Sequence, residues 1–261
     1  MITAASNSRI KRLVQLNQKS KRAQNEDVFL AEGVKMFLEA PREQLQEVYV
    51  SESFLEKCSC RSIWKRLATK SFPTVVFSKI SDTCTPQGVL CVLKQFHYNI
   101  EEMLRDKAPL FLLLENIQDP GNLGTMLRTG EGAGVSGIIM SRDTVDLYNP
   151  KVIRSTMGSI YRVPFYYADD FAAAVHQVQR AGVSVYAAHL RGKNSYACQD
   201  YTKGTAFLIG NEGNGLREET AELADCYIRI PMEGKVESLN AAVASSILMY
   251  EAHRQRATIE K

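Results

Sequence analysis

Through the second half of this chain, apolar runs of strand length alternate with stretches whose apolar residues recur at helical spacing. The runs fall at 110–114, 137–140, 183–187, 206–209 and 227–230, and the helical patterns at 123–133, 170–181, 216–224 and 239–254. Continuously apolar strands separated by helices predict a parallel α/β sheet covered on both faces. Before residue 105 the pattern is shorter and less regular. Strands are expected at 48–50, 75–77 and 89–93 and helices around 33–39 and 53–69, which makes a small α/β unit. The stretch 98–109 is polar, charged and closed by Pro109, so it reads as a linker. Two domains are therefore expected, 1–105 and 106–261, a division that 261 residues accommodate.

Composition narrows the class. With 45% hydrophobic and 23% charged residues, disordered, collagen-like and disulfide-scaffold chains are excluded. The longest strongly apolar run, 110–114, is far too short to cross a bilayer. The first residues lack the continuous apolar stretch of a signal peptide. Cys58, Cys60, Cys84, Cys91, Cys198 and Cys226 form no C-x-x-C pair and no Cys/His cluster at zinc spacing. They read as buried or idle thiols of a cytoplasmic protein that uses no metal.

Charge becomes informative once it is divided by segment. The formal total is +3, yet residues 1–22 hold Arg9, Lys11, Arg12, Lys19, Lys21 and Arg22 and no acid, which gives +6. Residues 23–107 carry −1 and residues 108–261 carry −2. Ile10, Leu13, Val14 and Leu16 recur at near-helical spacing, so the bases decorate a short amphipathic helix. Such an arm is either a solvated helix face or a phosphate-binding surface whose attraction falls with salt.

Ligands of parallel sheets bind beyond the carboxyl ends of the strands. Three exits here carry unusual residues. The first loop, ENIQDPGNLG from Glu115, leads into a helix bearing Arg128. Arg128 reads as a functional group, a partner of Glu131 or another acid, or a solvated helix residue. No strict G-x-G-x-x-G and no G-x-x-x-x-G-K-[ST] is present, so ordinary dinucleotide and nucleoside triphosphate sites lose ground. The second loop, GNEGNGL from Gly210, places three glycines in six residues and so permits close backbone approach to a ligand. Its Glu212 is either functional or a cap on the helix starting near Leu216. The third loop, PMEGKVESLN from Pro231, precedes a long small-residue helix. Ser238 is placed to cap that helix, at about 1 kcal/mol, and a helix N-terminus also suits a ligand.

Together, in this order, the loops resemble the SpoU (TrmH-like) branch of the SPOUT superfamily of RNA methyltransferases. The resemblance spans roughly 108–254 through NIQDPGNLGTMLRTGEGAG, LIGNEGNGL and IRIPMEGKVESLNAAVASSI, with NPKVIRSTMGSIYRVPF similar to the family's second helix and following strand. SRIKRLVQLNQKSKR and FLAEGVKMFLEA are similar to the small substrate-binding domain that many members carry, a less specific match. The resemblance implies a parallel-sheet methyltransferase domain with a deep trefoil knot, preceded by a small α/β RNA-binding domain. It also implies a homodimer that moves a methyl group from S-adenosylmethionine to a ribose 2′-hydroxyl in rRNA or tRNA. The family's first-motif Asn and Arg fall on Asn122 and Arg128, its second-motif Glu on Glu212, and its third-motif Ser and Asn on Ser238 and Asn240. The cofactor cradle falls on Gly210, Ile230 and Leu239, with Asn211 and Met232 as neighbours. The six-base arm then becomes an RNA-facing surface.

The implied chemistry needs no metal. Aligning an oxygen with an activated methyl donor supplies roughly 7–11 kcal/mol in the best intramolecular cases. A guanidinium stays protonated at neutral pH, so Arg128 is expected to stabilise the developing alkoxide and hold a phosphate that accepts or relays the proton. Two rival readings stand beside this one. The first changes the substrate to tRNA or to a base atom. The second is a non-catalytic RNA-binding or assembly factor that kept the fold, against which the intact Asn122, Arg128, Glu212, Ser238 and Asn240 set argues.

Overall fold

Ile10, Leu13 and Leu16 recur at three-residue intervals and form the buried face of helix α1 (Ser8–Gln18) in the computed structural model, which describes residues 7–18, 25–57, 70–81, 83 and 85–259. The chain divides into two units, Met1–Phe96 with Tyr148–Tyr161, and His97–Leu147 with Arg162–Lys261. In the first unit α1 is followed by β1 (Val28–Glu32), α2 (Val34–Glu39), β2 (Leu45–Ser51), α3 (Glu52–Lys57), β3 (Lys70–Phe72), α4 (Thr74–Ile80) and β4 (Val89–Lys94). The sheet runs β1-β4-β2-β3, antiparallel except for the β2–β3 pair. Its core joins α1 to Val28, Leu30, Tyr49, Leu90 and Val92 and to Phe77 and Ile80 of α4.

Residues 75–77, expected as a strand, lie inside α4. Val76, Phe77 and Ile80 recur at helical spacing and are buried, and Pro73 stands at the cap position, where no helical N–H is required of it. Of the helix expected at 53–69, Glu52–Lys57 is described, and 58–69 lie outside the described residues.

The chain continues through α5 (Ile100–Met103), β5 (Leu110–Leu114), α6 (Pro120–Ala133), β6 (Gly137–Ser141), α7 (Pro150–Thr156), β7 (Phe165–Ala168), α8 (Phe171–Arg180), β8 (Ser184–Ala188), β9 (Asn194–Ser195), β10 (Thr205–Ile209), α9 (Glu218–Ala221), β11 (Cys226–Arg229) and α10 (Ala241–Ile259). Helix α7 belongs to the first unit, and the others build the second. The stretch read as a linker contains α5. Ile100 and Met103 enter the core of the second unit, and Asn99 caps the helix by accepting from the Glu102 N–H at 3.0 Å.

The second unit is a seven-stranded sheet in the order β7-β6-β5-β10-β8-β11-β9, and every described pairing is parallel. Strands β5 and β10 are buried along their whole length, as their unbroken apolar sequences require. Truncating a leucine in this layer to alanine costs about 2–5 kcal/mol. From β5 the chain builds outward through β6 and β7, then crosses to β8, and β10 later inserts between β5 and β8. The strand order therefore reverses at β5 and β10, whose adjacent exits form the crevice that ligands of such sheets use.

Candidate active site

The first loop begins on a buried carboxylate. Glu115, 1% exposed, accepts from the Arg217 N–H at 2.9 Å, from Arg217 Nε at 2.7 Å and from the Thr220 hydroxyl. It thereby ties the exit of β5 to the segment that follows the second loop. Asn116 adopts φ +53° and Asp119 caps α6, accepting from the Asn122 N–H at 2.7 Å, with Pro120 opening the helix.

The second loop closes on itself. Asn211 and Gly215 exchange backbone hydrogen bonds of 3.0 and 2.9 Å. The Asn211 Oδ1 accepts from the Gly213 and Asn214 N–H groups, and its Nδ2 donates to the Asn116 carbonyl at 2.8 Å. Gly210 packs so tightly that a Cβ would sit 2.2 Å from the Gly215 carbonyl carbon, and Gly215 adopts φ +69°. This turn sends Glu212 across to the first loop. It accepts from the Asp119 N–H at 3.0 Å, the Gln118 N–H at 3.1 Å and Asn122 Nδ2 at 3.0 Å. The capping expectation for Glu212 is thus corrected: α9 begins only at Glu218, and its cap position is Arg217. Partial burial opposes ionisation of Glu212, but the bonds from Asn122, Asp119 and Gln118 outweigh it and hold the carboxyl below its ordinary range.

The third loop joins this network through Asn240. Its Nδ2 donates to Asn122 Oδ1 at 3.0 Å, and its own Oδ1 accepts from the Ala242 and Val243 N–H groups at 2.9 and 3.2 Å. Asn240 therefore caps α10, and the expectation that Ser238 does so is corrected. Ser238 lies two residues farther out, exposed and without a hydrogen-bond partner among the described residues. A continuous chain of bonds runs from Glu212 through Asn122 and Asn240 to the start of α10. Farther along, Ser246 meets Thr129 of α6 at 3.3 Å.

Beside this chain lies a cavity of about 300 Å³ at the exits of β8, β10 and β11. Its lining includes Gly210, Asn211, Glu212, Ile230, Met232, Ser238 and Leu239, so all five cofactor candidates and two catalytic candidates meet there. The β10–β8 and β11–β8 pairings end at Leu208 and Ile228, which leaves the peptide groups of Gly210 and Ile230 beyond the last paired residues. Asn122, Asn240 and Arg128 do not line the cavity. Arg128 is exposed on α6 with no ion-pair or hydrogen-bond partner among the described residues, and Glu131 is held by Arg162.

In the first unit Arg9 and Lys11 are exposed on α1, whereas Arg12 bonds Glu26 at 2.7 Å and Glu47 at 2.6 Å. The guanidinium of Arg12 is thus committed to two acids from elsewhere in its own unit. Lys19, Lys21 and Arg22 lie outside the described residues, as do Cys58, Cys60 and Cys84. Burial pushes the Cys91 thiol up to about 12, which makes it inert, while Cys198 is exposed and Cys226 half-buried. Among the described residues no cluster suits a metal ion, and no helix is long and apolar enough to cross a membrane. Sequence reading passed over Glu115 and His189. Each sits just past a strand end, the position that drew attention to the other loops.

Comparison with known proteins agrees with this geometry. Residues 109–250 match the SpoU rRNA Methylase family, and residues 7–91 match the MRM3-like substrate binding domain. The chain is 31% identical over 252 residues to the 23S rRNA (guanosine(2553)-2'-O)-methyltransferase RlmP of Bacillus subtilis, covering 95% of this chain and 97% of that one. An AdoMet-bound rRNA methyltransferase from Sinorhizobium meliloti superposes with TM-score 0.82 at 31% identity, over 97% of each chain. The SpoU methyltransferase AviRb from Streptomyces viridochromogenes shares the fold with TM-score 0.85 at 24% identity, over 97% of this chain and 98% of that one. With both its halves matched and its strand-exit loops meeting as they do, the chain belongs to the SpoU rRNA methylase family.

Proposed function

We propose that this protein transfers the methyl group of S-adenosylmethionine to a ribose 2′-hydroxyl of RNA, with rRNA as its substrate class. The observation that carries the reading is the meeting of three strand-exit loops at one cavity, bonded together through Glu212, Asn122 and Asn240. The cavity has an apolar floor that includes Ile209, Ile228 and Leu248, and a polar rim, which fits an adenosine-sized ligand. Gly210, Asn211, Ile230, Met232 and Leu239 would hold that ligand. When bound, its sulfonium presents the methyl group as an activated electrophile.

The chain's own residues then have to position an oxygen and stabilise charge. A guanidinium is a poor base, so the role of Arg128 is electrostatic: it holds a neighbouring phosphate and stabilises the oxyanion forming on the 2′-oxygen, and that phosphate accepts or relays the proton. Glu212, Asn122 and Asn240 keep the loops in register, and Ser238 stands at the rim to meet the ribose. Exposed Arg9 and Lys11, with Lys19, Lys21 and Arg22, form the RNA-facing arm, and Arg12 anchors its helix to Glu26 and Glu47. The similarity to a named 23S rRNA enzyme along nearly the whole chain favours rRNA over tRNA.

The same reading makes the protein a cytoplasmic homodimer, and the boundary expected near residue 106 moves to Phe96/His97, with Tyr148–Tyr161 joining the first unit. Val236, Val243 and Tyr250 are large apolar residues exposed on the third loop and α10, which supports a self-association face there. Sedimentation of the intact chain decides this, since a monomer at micromolar concentration would rule it out. The reading also includes the family's deep trefoil knot, which the insertion of β10 beside β5 and the packing of α10 on α6 support.

The test is transfer of tritium from S-adenosyl-[methyl-³H]methionine to total RNA from cells lacking the gene, followed by alkaline hydrolysis. Label is expected in alkali-resistant dinucleotides, because a 2′-O-methyl group blocks cleavage of the next phosphodiester. Arg128→Lys is expected to lower transfer by roughly 100-fold and leave cofactor affinity nearly unchanged. Label in mononucleotides would instead mean base methylation.

A further inference from the structure

Four titratable or charged residues line the cavity: His189, Glu212, Arg229 and Glu237. Glu212 is committed to the first loop. The side chains of Arg229 and Glu237 are exposed and make no bond to a described residue. His189 differs from both, because it is half-buried and fixed from several directions. It directly follows β8, and its N–H donates to the Ile228 carbonyl of β11 at 3.0 Å. Its carbonyl accepts from the Gly192 N–H at 2.9 Å, which closes a tight turn. That turn presses on β11, since a Cβ on Gly192 would lie 2.8 Å from the Ile228 carbonyl carbon. The imidazole packs on Tyr227 with ring centroids 5.1 Å apart. Its Nδ1 accepts from the Arg191 N–H at 3.1 Å, and this bond requires an unprotonated Nδ1.

We infer that His189 is a cofactor-positioning residue, a neutral imidazole locked in the Nε2–H tautomer that donates a hydrogen bond to the adenosine portion of S-adenosylmethionine. The inference rests on the cofactor reading above and adds a residue to it. Neutrality has a physical purpose in this cavity. The cofactor carries a sulfonium cation, and an imidazolium on the wall would repel it at short range in a partly dry site. Several groups around the ring keep it neutral. Partial burial disfavours the cation, and Arg191 on its own turn adds like-charge repulsion. Glu218 of α9 would favour protonation, but it is ion-paired to Arg191. Tyr227 on β11 packs on the ring, and the remaining charged groups of the cavity are Arg229, Glu212 and Glu237.

The test is isothermal titration of the full chain with S-adenosylmethionine and with S-adenosylhomocysteine, whose sulfur is neutral. His189→Phe keeps the ring and removes the donor, and His189→Gln keeps a donor that does not titrate in this range. At pH 8 His189→Phe is expected to weaken both ligands about tenfold, a typical loss for one hydrogen bond, and His189→Gln to stay within about threefold of wild type. Because burial and Arg191 lower the His189 pKa, protonation sets in below the ordinary histidine range, and between pH 7 and pH 5 wild type is expected to lose affinity for S-adenosylmethionine more steeply than for S-adenosylhomocysteine. In His189→Gln the histidine's share of that difference should vanish, leaving only the ligands' own titration, which is common to both proteins. Wild-type affinity in His189→Phe, or the same pH difference in His189→Gln, would overturn the assignment to His189 alone. A wild-type chain that bound neither nucleoside would overturn the cofactor reading together with it.

Discussion

Glu212 is a carboxylate held by two backbone N–H groups and one side-chain amide, and its ionised form joins two loops that are far apart in sequence. Its pKa is lowered in the fold, so its contribution to stability is complete above the ordinary glutamate pKa and fades as pH falls through the lower, folded value. Glu212→Gln turns one acceptor into a donor that faces an N–H. A loss of about 1 kcal/mol is expected, modest because the group lies near the surface. Measured by thermal unfolding, the difference between wild type and Glu212→Gln should be constant from pH 5 to pH 8 and shrink below about pH 4. A difference that shrank as pH rose toward 8 would contradict this linkage. At this scale residue types were easier to read than their partners. An acid amid three glycines marked Glu212 as unusual, yet nothing local distinguished a helix cap from a clamp on residues some ninety positions earlier. Arg12 shows the same limit, because its segment contains no acid and both its partners come from outside it.

Among the elements, α10 couples stability to the site, because Asn240 caps the helix and also bonds Asn122. Asn240→Ala removes the cap and leaves Asn122 Oδ1 without its donor, so a loss of about 1–2 kcal/mol is expected in chemical denaturation. Ser238→Ala should cost almost nothing in the same experiment, and a loss equal to that of Asn240→Ala would restore Ser238 as the cap. Both residues are good cap formers two positions apart, so chemistry alone did not choose between them. The buried strands were legible because an unbroken apolar run such as LFLLL leaves few alternatives once strand length is respected. Residues 75–77 misled because three consecutive β-formers fit a strand, while Ile80 completes a helical face that only the packing against α1 makes decisive. Helix α5 was hidden by its polar surface, although its two apolar positions lie three apart.

For the molecule as a whole, the alternation of strands and helices indicated a parallel sheet, and the placement of three loops at strand exits indicated the crevice where the candidate site lies. Strand order was not legible. Nothing local says that β10 inserts beside β5, and that insertion brings the first and second loops together. Nor does the sequence show that Tyr148–Tyr161 packs with the first unit, since its helix pattern resembles those that cover the sheet. The central claim, that this assembly of loops methylates a ribose in rRNA, is tested most directly by mapping 2′-O-methyl groups across total RNA. The maps to compare come from cells with the gene, without it, and without it but carrying Arg128→Lys. One or a few rRNA riboses are expected to lose the mark on deletion and to stay unmarked with Arg128→Lys, while the wild-type gene restores them. Identical rRNA maps in all of these cells would contradict the claim.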